Sequence, residues 1–332
     1  MDYVTYKEID INTINNNLSV IKNRYSFKYY ILDVSNNAFG HGISIVKNIA
    51  IDYLYTNNLN DIFLIRKYNN DIPIILDSLI NPEQILDAIN NNVILVVNDI
   101  HTLEKISEEK LFASLNVILN IDNNGFLGFK NKKDIRNAVE IFKTHTKLKI
   151  LGIKAQIREN DFHDFLYIIN DLLRLDLGMF ILNNESDKRK IKYSNAIKLD
   201  NSIYGINHYI KGKFLSKKDD SFKEAMGIYT KVVSIKKDVH KKEREFVIIP
   251  VGYLNGMLKE IKKVFIKDKF YVVMEIRDLY SIVIGETGIN IGDLVEIIGL
   301  NNPLENYIKN NTLSYFNCFN MISENESNYI GN

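Results

Sequence analysis

Short apolar runs rich in β-branched residues recur along the first two-thirds of the chain. They lie at 29–34 (YYILDV), 62–66 (IFLIR), 73–76 (PIIL), 92–97 (NVILVV), 116–121 (NVILNI) and 148–153 (LKILGI), with weaker members at 179–182 (MFIL) and 202–206 (SIYGI). Each reads as a strand. Between most of them, segments 43–54, 83–90, 101–113, 132–143 and 161–175 carry apolar residues at helical spacing. Strands alternating with helices predict a parallel sheet, and about eight such units predict a (β/α)₈ barrel, whose chemistry sits at the C-terminal ends of its strands.

From about residue 222 the pattern changes to β-rich alternation: IYTKVVSIKK, EFVIIPVGYLNG, VFIKDKFYVVMEI and DLVEIIG. That predicts a second, mostly antiparallel β domain. The lysine- and aspartate-rich stretch 211–221 reads as the hinge. The run KKDVHKKERE (236–245) mixes both signs of charge and reads as a solvated hairpin or loop rather than a binding patch.

Composition narrows the function classes. At 332 residues there is room for two domains with cores of their own. A 46% apolar share and a formal net charge of +1 give no whole-chain case for nucleic-acid or membrane binding. Cys318 is the one cysteine, which excludes an intramolecular disulfide framework and a cysteine-built zinc site, and fits a cytoplasmic location. The opening MDYVTYKEID lacks a basic region followed by an apolar run, so no signal peptide is expected. No apolar stretch approaches the roughly 18–20 residues that span a bilayer. Asparagine tracts at 15–17 and 90–92 read as drift from an AT-rich genome. The six histidines form no His-Glu-x-x-His pattern, and GETGINIG (285–292) reads as a turn rather than a phosphate cradle.

The segment with most chemical content is KYYILDVSNNAFGHG (28–42), an apolar strand ending in a glycine-flanked turn. Ser35 falls at the strand's C-terminal end. It reads equally as a site residue or as a small residue closing a strand. The segment resembles the signature of the alanine racemase family, Lys-Ala-Asn-Ala-Tyr-Gly-His-Gly. Asn37, Ala38, Gly40, His41 and Gly42 match, whereas Ser35 stands at the lysine and Phe39 at the tyrosine. In that family the lysine holds pyridoxal phosphate as an imine and the tyrosine helps to bind its phosphate. A hydroxyl cannot form an imine with the cofactor aldehyde.

Other segments resemble the family in the same order. YKEIDINTINNN resembles its opening strand and helix, and SIYGI its Leu-Tyr-Gly-Ile. PVGYLNG (250–256) resembles Pro-Val-Gly-Tyr-Ala-Asp-Gly, and VVMEI (272–276) the Met-Asp-Gln segment. INIGDLVEIIG (289–299) and TLSYF (312–316) are similar to later family segments. The resemblance implies a strand at 1–10 joining the C-terminal β domain, a barrel over 11–215 and the β domain over 222–332.

Functional positions carried over one at a time give a different picture. Phe126 stands at the substrate-carboxylate arginine and Asn120 at the lysine of the same segment. A phenyl ring cannot make the bidentate contact that fixes a carboxylate. Gln156 stands at the histidine facing the cofactor ring. Asn183 is kept, but Asn184 replaces the phosphate-binding serine. Lys198 takes the place of the arginine facing the pyridine nitrogen, and Asp200 would set a carboxylate against the phosphate site. The Ser-Tyr-Gly segment bearing the second catalytic base has no counterpart in SIKKDVHKKEREFVIIP (234–250). A two-base racemase needs a group on each face of the substrate. Tyr204, Tyr253 and Tyr329 match family tyrosines, a survival that packing explains at least as well. Lys28 lies roughly 23 Å from Ser35 at strand rise, too far to substitute. Lys154 and Lys198 lie nearer strand ends, and Lys198 is the plausible relocated imine lysine.

The expectation is a catalytically inactive racemase-like protein, a scaffold, regulatory or partner subunit, with no cofactor. It is expected to form a homodimer, or a heteromer with an active paralogue. The alternative is a pyridoxal-phosphate-dependent amino-acid racemase with relocated catalytic groups.

Overall fold

The structure is a computed structural model that describes residues 5–79, 84–122, 127–155, 162–175, 177–182, 194–199, 201–205, 209–210, 213–214, 221–240, 244–308 and 327–331. Two compact units emerge. One gathers residues 22–36 and 50–200, the other residues 1–21, 37–49 and 201–332.

The first unit is a closed barrel of eight parallel strands: β2 (Tyr29–Asp33), β3 (Tyr53–Thr56), β4 (Ile74–Leu76), β5 (Val93–Val97), β6 (Leu115–Ile121), β7 (Leu148–Ala155), β8 (Met179–Leu182) and β9 (Ala196–Leu199). Ring closure is made by β2 against β9, with Ile31 opposite Lys198. Inward positions recur at every second residue of a strand. Ile31, Tyr55, Ile75, Ile94, Val96, Ile118, Met179 and Ile181 form the apolar filling, with Tyr29 and Tyr53 packed against it. Gly152 is required where β7 meets β8, since a Cβ there would stand 2.0 Å from the Met179 carbonyl oxygen.

Eight strands were expected, and eight are present, but two members differ. Residues 62–66 belong to a helix, α3 (Leu59–Tyr68), not a strand. Asn58 caps it by accepting a bond from Asn60 N at 3.0 Å, and Ile62 and Ile65 are buried at helical spacing while Phe63 and Leu64 are exposed. Residues 202–205 also form no strand; a 3₁₀ turn covers Asn201–Tyr204. Their places in the barrel are taken by β3 and β9, each only four residues long. The helical pattern at 43–54 reduces to a 3₁₀ turn over Ile43–Lys47 before β3 begins. The remaining helices follow the pattern: α4 (Ile85–Asn90), α5 (Ile100–Glu108), α6 (Lys132–Thr144) and α7 (Phe162–Ile169).

In the second unit, β1 (Tyr6–Asp10) leads into α1 (Ile11–Arg24), most of which belongs to the same unit. A two-stranded hairpin joins β10 (Tyr209–Ile210) to β11 (Lys213–Phe214). The remaining strands are β12 (Met226–Lys231), β13 (Ser234–Lys237), β14 (Arg244–Ile249), β15 (Lys263–Ile266), β16 (Lys269–Ile276), β17 (Ser281–Glu286), β18 (Leu294–Ile298) and β19 (Ser327–Ile330). With β1 they make one sheet in the order β13-β14-β17-β16-β15-β18-β12-β1-β19. Its pairings are antiparallel except for the parallel β1–β19 pair. The charged run 236–245 spans the ends of the β13–β14 hairpin. The expected hinge at 211–221 and the TLSYF segment lie largely or wholly outside the described residues.

Candidate functional site

Ser35 opens a short helical turn, α2 (Ser35–Phe39), directly after β2. Asn36, Asn37, Ala38 and Phe39 have φ of 53°, 57°, 52° and 53°. Left-handed backbone costs roughly 1–2 kcal/mol per L-residue, least for asparagine. Four in succession persist only where their surroundings determine them. Asn37 Oδ1 accepts from Ile43 N at 2.9 Å, and Lys7 donates its Nζ to the Gly40 carbonyl at 3.1 Å. The His41 ring stacks on Tyr204 with centroids 4.4 Å apart, and Phe39 packs on the same tyrosine at 5.4 Å. Full burial, with the Lys7 charge adding to it, pushes the His41 pKa down to about 3. The imidazole is therefore neutral.

The chemistry inside the barrel lies one inward step beyond its apolar filling. Asp33 follows Ile31, Asp77 follows Ile75, Asn98 follows Val96, Asn120 follows Ile118 and Lys198 follows Ala196, each two residues further toward the C-terminal end of its strand. Lys198 Nζ meets Asp33 Oδ2 at 2.5 Å and lies over the Tyr55 ring, 4.6 Å from its centroid. Lys154 on β7 reaches across the barrel to form an ion pair with Asp77, and its Nζ is 3.3 Å from the Tyr55 hydroxyl. Tyr55 donates its own hydroxyl to Asp77. Burial first, then the negative charge of Asp77, raises the Tyr55 pKa far above its ordinary value, so the phenol remains a donor. Asn120 donates to Asn98 Oδ1 at 2.7 Å.

Among the described residues, two ammoniums pair with two carboxylates here. Their side chains are only 6–15% exposed. A buried ion pair of this kind persists only when its desolvation cost is offset by close pairing and further hydrogen bonds. Asp33 satisfies both conditions, because its other oxygen accepts from Ser35 N at 3.0 Å. Ser35 is 4% exposed, and its Oγ meets no hydrogen-bond partner among the described residues.

Of the positions singled out in the sequence, Ser35 and Lys198 are thus brought together through Asp33. Phe39 and Tyr204 are buried in the other unit. Tyr253 opens a 3₁₀ turn and is 70% exposed, and Tyr329 sits on β19 opposite Ile9. Phe126, Gln156, Asn183, Asn184 and Asp200 lie outside the described residues. Sequence reasoning missed Asp33, Tyr55 and Asp77. Their signal was a charged or hydroxyl-bearing residue closing an otherwise apolar strand. Among the described residues no group of three or more His, Cys, Asp or Glu side chains is placed to hold a metal ion, and no helix is long and apolar enough to cross a membrane.

The chain is similar to known proteins along most of its length. A family model described as "Alanine racemase, N-terminal domain" matches residues 9–161. The alanine racemase of Borreliella burgdorferi (strain ZS7) is 22% identical over 302 residues, covering 77% of each chain. Among solved structures, the alanine racemase of Clostridium difficile 630 superposes with a TM-score of 0.85 at 21% identity, covering 98% of this chain and 95% of its own. That of Oenococcus oeni gives 0.86 at 18% identity, covering 99% of both. At such identities the structural likeness speaks for the fold.

Proposed function

We propose that this chain, which belongs to the alanine racemase family, is a cytoplasmic member that does not racemise amino acids and serves as a scaffold, regulatory or partner subunit. One observation carries the reading: among the described residues, the two lysines that reach into the barrel are held in ion pairs, Lys198 by Asp33 and Lys154 by Asp77. Pyridoxal phosphate is the cofactor the family implies, and its aldehyde is captured by a neutral amine free to attack. At the strand end where the family signature carries its lysine, Ser35 offers a hydroxyl. The two amines nearby are each engaged by a carboxylate, Lys198 by Asp33 and Lys154 by Asp77. An anionic cofactor entering the same end of the barrel also meets Asp33 and Asp77. The residues present do not fit the group.

The reading is tested by incubating the purified full chain with pyridoxal phosphate and either alanine enantiomer. The expected outcome is no imine absorbance and no interconversion of enantiomers. Enantiomer exchange that depends on the cofactor would overturn it in favour of a racemase with relocated groups.

We further propose a homodimer, supported by one face of the sheet. Phe270 and Val272 on β16 are 45% and 57% exposed. Phe265 on β15 pairs with Phe270, and Ile284 on β17 with Val272. These apolar side chains neighbour one another across three strands, with the Lys263 ammonium 4.1 Å from the centre of the Phe270 ring, a mixed patch that a partner surface would cover.

A further inference from the structure

The Asp33 carboxylate is held as a bound ligand would be held. Oδ1 accepts from the Ser35 amide at 3.0 Å, and Oδ2 accepts from Lys198 Nζ at 2.5 Å. An amide and an ammonium converging on the two oxygens of one carboxylate are the elements of an anion site. The Tyr55 ring lies beneath the ammonium at 4.6 Å, and the Ser35 hydroxyl stands on the same residue as the amide donor, buried and without a partner among the described residues. The anion, however, belongs to the chain itself.

We propose that Lys198 and the Ser35 amide form a carboxylate-binding site whose resident ligand is the side chain of Asp33, and that a small monocarboxylate takes the site when that side chain is removed. Replacing Asp33 by alanine removes its carboxylate, leaves a void of about that group's size and takes one negative charge from beside Lys198. Formate or acetate fills the void and returns the lost negative charge. Phosphate, larger and more highly charged, does not. In the intact chain Asp33 is present at a far higher effective concentration than any free anion and excludes it. The inference rests on the proposed reading that the barrel lysines are held by the chain's own carboxylates.

The test is chemical rescue of Asp33→Ala in the full-length chain. Thermal unfolding is followed with formate, acetate, phosphate, chloride at matched ionic strength, and neutral formamide. The melting temperature of the variant is expected to rise saturably with formate and acetate, not with phosphate or formamide beyond the chloride control. The wild type should show no such response, and Asp33→Ala/Lys198→Met should lose it. If Asp33→Ala does not fold in chloride, refolding yield in formate replaces the melting temperature. Recovery then supports the site, and no recovery overturns it. A formate response equal in the wild type or in the double variant also overturns it. Should the wild type form an imine with pyridoxal phosphate, the non-racemising reading fails whatever formate does. If formate fails while the wild type stays inert toward the cofactor, only the self-liganded site is lost.

Discussion

Asp33 stands at the C-terminal end of β2, and its stability contribution is measurable apart from any function. Truncating one member of a buried pair leaves the other charge uncompensated, at a cost of roughly 3–5 kcal/mol. Replacing both by apolar residues of similar volume is often near neutral. Asp33→Ala and Lys198→Met are therefore expected each to lower stability by several kcal/mol in urea unfolding, whereas Asp33→Val/Lys198→Met costs much less than their sum. Additive losses would contradict the pairing. That a serine stands where the resembling signature carries a lysine can be read from the sequence alone. The pairing of Asp33 with Lys198 cannot be read there. Asp33 and Lys198 are 165 residues apart, and only barrel closure brings β2 beside β9. Lys154 looked like a free amine near a strand end because its partner Asp77 lies across the barrel.

At the scale of elements, the turn after β2 holds four left-handed residues against the buried ring of His41. The folded pKa of about 3 lies below the 6.5 of the free side chain. The unfolded chain thus binds a proton at His41 that the folded chain does not. Stability from this group is complete above about pH 6.5 and is lost as pH falls toward 3, by ~3 kcal/mol at pH 4. The acid limb of the wild type's stability curve should be steeper than that of His41→Phe, as read from urea midpoints between pH 7 and pH 4. Parallel limbs would show that His41 is not held neutral. The motif alone announced a glycine-flanked turn at this place. The handedness was hidden, because Ala38 and Phe39 carry no local preference for positive φ. Elements elsewhere were misread for a related reason. IFLIR has strand composition, yet its capping Asn58 and the burial of Ile62 and Ile65 make it a helix.

For the whole molecule, the count of eight strands was legible while two of its members were not: YLYT and AIKL are too short to stand out against longer apolar runs. The β-rich character of the C-terminal part was plain from alternation. The side-by-side placement of Phe265, Phe270, Val272 and Ile284 on one face of β15, β16 and β17 required the register to be seen. If that face joins two copies, Val272→Glu sets a charge at its centre. The wild type should sediment as a dimer and the variant as a folded monomer. A monomeric wild type would remove the dimer from the account. The central claim concerns the amines of the barrel. It is tested most directly by adding pyridoxal phosphate to the native chain, reducing with borohydride and mapping the products by mass spectrometry. The account predicts no cofactor adduct on Lys198 or Lys154. A stoichiometric adduct on either lysine would contradict it.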